Sequence, residues 1–215
     1  MKFNINKVLI IGDSYSTFSG YNPEGYSVYY DTKESRGLDV RRVEEVWWHK
    51  LLTSLDAELV LNDSWSGSTV SYTAYGGADC SHSSSFIYRA RRLIDSGFFD
   101  KNEVDTVFLF GGTNDSWSGA PLGELKFADF NEDDLYSALP AISYLIMLIK
   151  DTLPKANVFY LINTNIKPEI TAAIKEACRH FGAEYLELKS IDKKNGHPTV
   201  KGMDDIYREL MQLIG

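Results

Sequence analysis

The sequence predicts an α/β protein in which helices cover both faces of one parallel β-sheet. Five short apolar runs alternate with segments whose apolar residues recur at helical spacing, a pattern typical of parallel strands joined by helical crossovers. The chain has 215 residues, of which 44% are hydrophobic. It is long enough for one well-filled core and short for two, so we expect a single domain spanning residues 1–215.

The first predicted strand covers residues 8–11 and ends at Gly12, just before Ser14. A buried strand that stops at a glycine would deliver the Ser14 hydroxyl to the edge of the sheet. A serine in this position is also a common turn former, so its role depends on what later segments bring beside it. Residues 15–39 follow as a long tyrosine-rich loop, a kind of segment that is often functional in compact domains.

The other elements follow from periodicity and from residues that start or stop helices. Asn131 and the acidic residues after it start a helix, Gly182 ends one, and Thr199 caps the last. In chain order we predict a helix over 40–52, a strand over 57–61, a polar loop over 62–69, a helix over 86–94, a strand over 104–110, a loop over 116–130, a helix over 131–151 kinked at Pro140, a strand over 157–163, a helix over 168–180, a strand over 184–188 and a final helix from 200.

Charge and composition exclude several classes of partner. The net charge of −8 disfavours binding to nucleic acids and to anionic membrane surfaces, because both require clustered lysine and arginine. No apolar run approaches membrane-spanning length, and residues 1–7 contain no signal-peptide core, so we expect a cytoplasmic protein. The two cysteines, Cys80 and Cys178, have no metal-like spacing and no disulfide framework.

Three polar loops converge if the strands take the order 2-1-3-4-5. Ligands of open α/β sheets bind at the carboxyl ends of the strands, where this order would bring Ser14, Gly67 and Asn114 together. They offer a hydroxyl, a backbone N–H and a side-chain amide. Acyl transfer needs such donors, because negative charge builds on the carbonyl oxygen, and losing one donor typically costs about 2.7–4 kcal/mol.

Four histidines are candidates for a general base. His49 and His180 lie in amphipathic helices, where a packed or partly solvated imidazole is the simpler interpretation, and His82 lies in a serine-rich loop. His197 comes just before the final helix, where Pro198 would stiffen the turn and hold the imidazole at the sheet edge. We therefore favour His197 as the base.

Taken together, these motifs resemble those of a known enzyme family. Gly12-Asp13-Ser14, Gly67, Gly112-Thr113-Asn114-Asp115 and His197-Pro198 resemble, in order and at plausible spacing, the four motif blocks of the SGNH (GDSL-type) hydrolases. The resemblance spans essentially the whole chain. It implies a three-layer α/β/α flavodoxin-like fold with a five-stranded sheet, Ser14 as nucleophile, and His197 as general base and then acid. The N–H groups of Ser14 and Gly67 and the Asn114 amide would form the oxyanion hole, with no cofactor.

The sequence departs from this family at the third member of the catalytic triad. That residue usually lies three positions before the histidine, and here Lys194 occupies the position and cannot accept a hydrogen bond from an imidazole. We hypothesise that Asp192 orients His197, with residues 193–196 bulging to let it reach. The alternative is a backbone carbonyl in that role, which would leave a Ser-His dyad.

Two other interpretations of these motifs remain open. Asp13 and Asp115 could form a lysozyme-like carboxylate pair, although we interpret them as turn and loop formers. The protein could also be a non-catalytic, flavodoxin-like domain in which Ser14, Ser16 and Thr17 bind the phosphate of a nucleotide-type ligand. The glycines after the first strand do not match a phosphate-binding loop with its lysine, and no histidine pair has metal-ligand spacing, so we expect no metal.

Aromatic residues in the long loops suggest the substrate. Aromatic faces suit sugar rings, and we take Tyr15, Trp65 and Trp117 as the candidate substrate contacts. They belong to a larger set of loop aromatics around the predicted site: Tyr15, Tyr21, Tyr26, Trp65, Tyr72, Tyr75 and Trp117. A short-chain ester on a carbohydrate, such as an O-acetyl group, is therefore the preferred substrate, followed by a small acyl ester of another alcohol. The competing interpretation is that these rings only pin the loops to the body of the protein.

Overall fold

The computed structural model describes residues 2–33, 37 and 39–215. Its central feature is a five-stranded sheet in which every neighbouring pair is parallel and the order is β2-β1-β3-β4-β5. The fold class and strand order predicted from the sequence are therefore confirmed. The strands are β1 Lys7–Gly12, β2 Glu58–Ser64, β3 Thr106–Phe110, β4 Asn157–Ile162 and β5 Glu184–Glu187.

Helices cover both faces of the sheet, which explains why its strands are continuous apolar runs. Successive side chains of a strand point to opposite faces. Val8 and Ile10 accordingly pack in the core beneath α1 and α7, while Leu9 and Ile11 pack in the core beneath α2, α5 and α6. The helices are α1 Trp47–Leu55, α2 Phe86–Asp95, α3 Phe98–Lys101, α4 Thr113–Ser118, α5 Ala138–Thr152, α6 Pro168–Phe181 and α7 Val200–Ile214.

Two of the predicted helix ends are confirmed in detail, whereas the helix predicted over 131–151 starts later than expected, at Ala138. Thr199 caps α7, its Oγ1 accepting a hydrogen bond from the N–H of Gly202 at 3.1 Å. Gly182 ends α6 in the left-handed region, with φ of 68°. Pro140 does not kink a helix over 131–151, because it lies in the first turn of α5, where its missing N–H costs no hydrogen bond.

Two features differ from the expected loops. The segment over 116–130 was expected to be irregular, but its first residues belong to α4. The segment before α7 forms an antiparallel hairpin of β6 Lys193–Lys194 and β7 His197–Pro198. Residues 34–36 and 38 of the loop predicted over 15–39 lie outside the described residues. Among the helices of the described chain, none combines the length and the apolar character needed to cross a bilayer.

Candidate active site

The central position of β1 brings three loops to one edge of the sheet. Gly12 is paired with Ser64 of β2 on one side and with Phe110 of β3 on the other. The ladder continues one step beyond the strands, since the Asp13 N–H donates to the Phe110 carbonyl at 3.2 Å and the Trp65 N–H donates to the Gly12 carbonyl at 3.0 Å. The loops after β1, β2 and β3 therefore start side by side, as the predicted order requires.

Ser14 opens a single 3-10 turn over Ser14–Ser16 directly after β1. The Asp13 side chain caps this turn by accepting a hydrogen bond from the Tyr15 N–H at 3.0 Å. Gly12 makes the turn sterically feasible, because a Cβ at that position would lie 2.7 Å from the Ser64 hydroxyl oxygen and 2.8 Å from the Ser16 Cβ. Only a glycine lets the strand end so close to its own turn.

Two tryptophan side chains of α1 donate hydrogen bonds to the backbone of the same turn. The Trp47 Nε1–H donates to the Tyr15 carbonyl at 3.1 Å, and the Trp48 Nε1–H donates to the Ser16 carbonyl at 2.9 Å. Both tryptophans are buried, so these bonds are shielded from water. The helix predicted over 40–52 as a packing element thus also fixes the backbone around Ser14.

Ser14 and His197, separated by 183 positions, meet at hydrogen-bond distance. The Ser14 Oγ lies 2.9 Å from the His197 Nε2, and the His197 Nδ1 lies 3.2 Å from the Asn195 carbonyl oxygen. A carbonyl oxygen only accepts, so this pairing assigns the proton to Nδ1 and leaves Nε2 to accept the Ser14 hydroxyl. The arrangement is suited to removing a proton from Ser14.

The structure differs from the expected triad at Asp192. The predicted bulge over 193–196 is a tight hairpin instead, because Asn195 and Gly196 take positive φ values of 52° and 78° and form a two-residue turn. Its register places Lys194 opposite His197. Asp192 falls opposite Thr199: its carboxylate accepts a hydrogen bond from the Thr199 hydroxyl, and its carbonyl accepts the Thr199 N–H at 3.0 Å.

The Asn114 amide lies beside the turn that contains Gly67. Gly67 has a φ of 83°, and the turn is closed by the Ser68 N–H donating to the Trp65 carbonyl at 3.2 Å. The Asn114 Nδ2 donates to the Ser68 carbonyl at 2.9 Å, while its Oδ1 accepts a hydrogen bond from the Tyr75 hydroxyl at 2.9 Å. Both ends of the amide are therefore paired, which fixes its orientation.

Comparison with known protein families identifies the family of this chain. The sequence model of the GDSL-like Lipase/Acylhydrolase family matches residues 6–214. The chain belongs to that family. No curated protein sequence matches the chain.

Solved structures of other GDSL-like proteins share the fold over almost the whole chain. A protein described as a GDSL-like lipase from Bacteroides ovatus is 37% identical, with a TM-score of 0.89, and the match covers 98% of each chain. A second, from Bacteroides uniformis, is 39% identical with a TM-score of 0.90, covering 98% of this chain and 95% of that one. A family two carbohydrate esterase from Clostridium thermocellum, solved with cellohexaose, is 20% identical with a TM-score of 0.64, covering 97% of this chain and 63% of that one; this likeness shows the fold alone.

The two acidic residues of the GDSL-like motifs are fully buried and have structural contacts. Burial raises the pKa of Asp13 to about 7, against the opposing effect of the Tyr15 N–H bond. Burial also raises the pKa of Asp115, although this carboxylate accepts hydrogen bonds from the Val70 N–H at 2.8 Å and from the Ser71 N–H at 2.9 Å. These positions fit turn and loop formers and disfavour a lysozyme-like pair, whose carboxyl groups must reach the substrate.

The residues expected to bind phosphate are also buried. Ser16 and Thr17 have no exposed surface, and the Thr17 hydroxyl donates to the Ser14 carbonyl at 3.0 Å. Neither side chain is presented to a ligand, which disfavours the phosphate-binding interpretation. Within the described residues, no group of three or more His, Cys, Asp or Glu side chains is placed to hold a metal ion.

Tyr15 and Trp65, two of the three expected substrate contacts, have other contacts. Tyr15 is completely buried, and its hydroxyl donates to the Gly196 carbonyl at 2.5 Å, which disfavours the predicted contact with substrate. Trp65 is partly buried, and its ring lies 4.3 Å from that of Tyr26 between centroids. Both rings therefore pin loops to the body of the protein, as the competing interpretation proposed.

Three aromatic side chains contact His197 or Asn114. Trp117 is 42% exposed and meets the His197 ring edge to face, with centroids 6.3 Å apart. Tyr75, which is 47% exposed, bonds to Asn114, and Tyr29 stacks on His197. The sequence placed Trp117 and Tyr75 among the loop aromatics around the site but did not include Tyr29, which lies in no motif that follows a strand.

Proposed function

We propose that this GDSL-like protein is a serine esterase that hydrolyses short-chain esters, acetyl esters in particular, through an acyl-enzyme intermediate. The observation that supports it most is the 2.9 Å contact between the Ser14 Oγ and the His197 Nε2. His197 removes the hydroxyl proton as Ser14 attacks the ester carbonyl, and it then protonates the departing alcohol. In the second half of the reaction His197 activates a water molecule that releases the acyl group.

The oxyanion of each tetrahedral intermediate needs donors held in place before the reaction. We assign this role to the N–H groups of Ser14 and Gly67 and to the Asn114 Nδ2. An amide nitrogen carries two hydrogens, so the bond from Asn114 to the Ser68 carbonyl leaves the other for the substrate oxygen. In this proposal the Asn195 carbonyl, and not Asp192, holds the His197 tautomer.

A carbohydrate is the alcohol that this proposal favours. The exposed rings of Trp117, beside His197, and Tyr75, beside Asn114, offer flat faces for a sugar. The same fold is found in a carbohydrate esterase solved with cellohexaose. The substrate in this view is a small-molecule or oligosaccharide ester that carries an acetyl group.

Labelling with an organophosphate tests the esterase directly. Mass spectrometry of the intact protein and of its peptides should show one phosphoryl adduct on Ser14. The adduct should be lost in Ser14→Ala and in His197→Ala, whereas His82→Ala, which removes an exposed loop histidine, should label normally. Ser14→Ala should also lower ester hydrolysis by roughly 10⁴- to 10⁶-fold. Absence of labelling in the wild-type protein would contradict the proposal.

Substrate preference is tested by a chain-length series and by a sugar. The kcat/KM for p-nitrophenyl acetate should exceed that for the butyrate and the octanoate. Trp117→Ala should raise KM for an acetylated oligosaccharide by a much larger factor than KM for p-nitrophenyl acetate, whereas loss of its contact with the His197 ring would lower kcat equally for both substrates. An equal change in KM for both substrates would argue against Trp117 as a carbohydrate contact.

A further inference from the structure

A lysine lies on the inner side of the hairpin that carries His197. Lys193 is paired with Pro198, and it is half-buried, whereas its neighbour Lys194 is exposed. The Lys193 Nζ donates to the Asn163 Oδ1 at 2.9 Å and to the Thr164 Oγ1 at 2.6 Å, and the Thr164 carbonyl lies at 3.4 Å. All three acceptors directly follow β4, so one ammonium joins the hairpin to the main sheet.

The acceptors of this ammonium are themselves held in place. Asn163 is 2% exposed, and its Nδ2 donates to the Thr113 hydroxyl at 3.1 Å. Thr113 immediately precedes Asn114 in the chain. Burial lowers the pKa of Lys193 to about 8, with the charge of Asp13 opposing the shift, so the ammonium form predominates below that pH. Lys193 therefore has a defined position and not the mobility of a surface lysine.

The hairpin needs such an anchor because it is very short. Each of its strands has two residues, and an isolated two-stranded hairpin is marginally stable at best in water. Its position over Ser14 must come from contacts with the rest of the fold. Tyr15 and Tyr30 provide two, their hydroxyls donating to the Gly196 carbonyl at 2.5 Å and to the Pro198 carbonyl at 2.9 Å.

We propose that Lys193 is a positioning residue, whose ammonium fixes the hairpin on the end of β4 and so holds the His197 imidazole at hydrogen-bond distance from Ser14. The proposal rests on the esterase function proposed above. Lys193 does not touch the reacting atoms. It acts through the backbone of the hairpin, and a shift of about 1 Å between reacting groups is enough to cost up to 10²-fold in rate.

A matched pair of variants tests this role. Lys193→Met removes the ammonium and keeps an unbranched side chain, and Lys194→Met makes the same change at the exposed neighbour. For p-nitrophenyl acetate we expect Lys193→Met to lower kcat by about 10- to 100-fold with KM unchanged. The rate of organophosphate labelling at Ser14 should fall by the same factor. Lys194→Met should stay within about twofold of wild type in both measurements.

A variant of an acceptor residue tests the same contact, and it does not depend on whether Lys193→Met folds. Thr164→Val removes the Oγ1 acceptor with little change of shape and should lower kcat by a smaller factor. If the two side chains act through one contact, the double variant should be no slower than Lys193→Met alone. Additive losses would overturn the proposal, as would equal activities of Lys193→Met and Lys194→Met while the wild type labels normally. Absence of labelling in the wild type would instead contradict the esterase itself.

Discussion

The phenol ring of Tyr29 lies face to face on the imidazole of His197, with ring centroids 3.5 Å apart and planes 8° from parallel. This contact comes from the tyrosine-rich loop after β1, whereas His197 comes from the far end of the chain. Stacking restricts rotation of the imidazole about its last side-chain bond, and it also favours the imidazolium that forms when Ser14 gives up its proton. Tyr29 therefore helps to orient His197, the proposed base.

Replacing Tyr29 by leucine should slow the reaction without preventing it. Aromatic pairs contribute about 0.5–1.5 kcal/mol beyond buried area, so we expect kcat/KM for p-nitrophenyl acetate to fall by roughly 2- to 12-fold. Tyr29→Phe is the matched control, because it keeps the ring and removes only the hydroxyl, and it should retain nearly full activity. If the phenylalanine variant were as slow as the leucine variant, the hydroxyl and not the stacking would be responsible.

The parts of the site that could be predicted from the sequence are those that follow a strand. A parallel sheet brings the carboxyl ends of its strands to one edge, so Ser14, Gly67 and Asn114 had to converge once the order was known. The support of His197 could not be predicted in this way. Tyr29 contacts the hairpin, and Lys193 connects the hairpin to the end of β4, through side-chain contacts that depend on the path of loops and that no periodicity encodes.

The turn of the hairpin could nonetheless have been predicted from the sequence. Asn195-Gly196 is a strong signal for a two-residue turn with positive φ at both positions. Applied to residues 193–198, it pairs Lys194 with His197 and moves Asp192 away from the imidazole. The expectation of a bulge overlooked this turn chemistry.

Asp192→Asn should therefore leave turnover nearly unchanged. The Asp192 carboxylate bonds to the Thr199 hydroxyl, and the Asp192 N–H donates to the Asp205 carboxylate at 3.1 Å. Replacing a carboxylate that orients a catalytic histidine lowers kcat by about 10⁴-fold in a Ser-His-Asp triad. Here we expect a change of less than about twofold in kcat, as for surface substitutions in general. A loss of several orders of magnitude, with the variant still folded by circular dichroism, would restore the triad.

Tyr75→Phe should lower kcat through Asn114. The lost hydrogen bond from the Tyr75 hydroxyl to the Asn114 Oδ1, at 2.9 Å, frees the amide to rotate. A hydrogen bond of this kind contributes about 0.5–1.5 kcal/mol, which corresponds to a fall in kcat of roughly 2- to 12-fold with little change in KM. Tyr21→Phe, at an exposed tyrosine that packs near Trp48, is the control and should behave as wild type. A change confined to KM would indicate substrate contact instead.

Asp13→Asn should change how stability depends on pH. Burial raises the pKa of Asp13 from 3.8 to about 7 in the folded chain. Between these values the unfolded chain releases a proton that the folded chain keeps, so the contribution of Asp13 to stability is complete at low pH and is lost as pH rises through about 7. Asparagine does not titrate, and its side-chain oxygen still accepts the Tyr15 N–H. The free energy of unfolding of Asp13→Asn, relative to wild type, should therefore increase by a few kcal/mol in urea titrations from about pH 4 to 8, at about 1.4 kcal/mol per pKa unit. Asp56→Asn removes an exposed carboxylate and controls for the change in net charge; a difference between Asp13→Asn and wild type that stayed constant with pH would contradict the raised pKa.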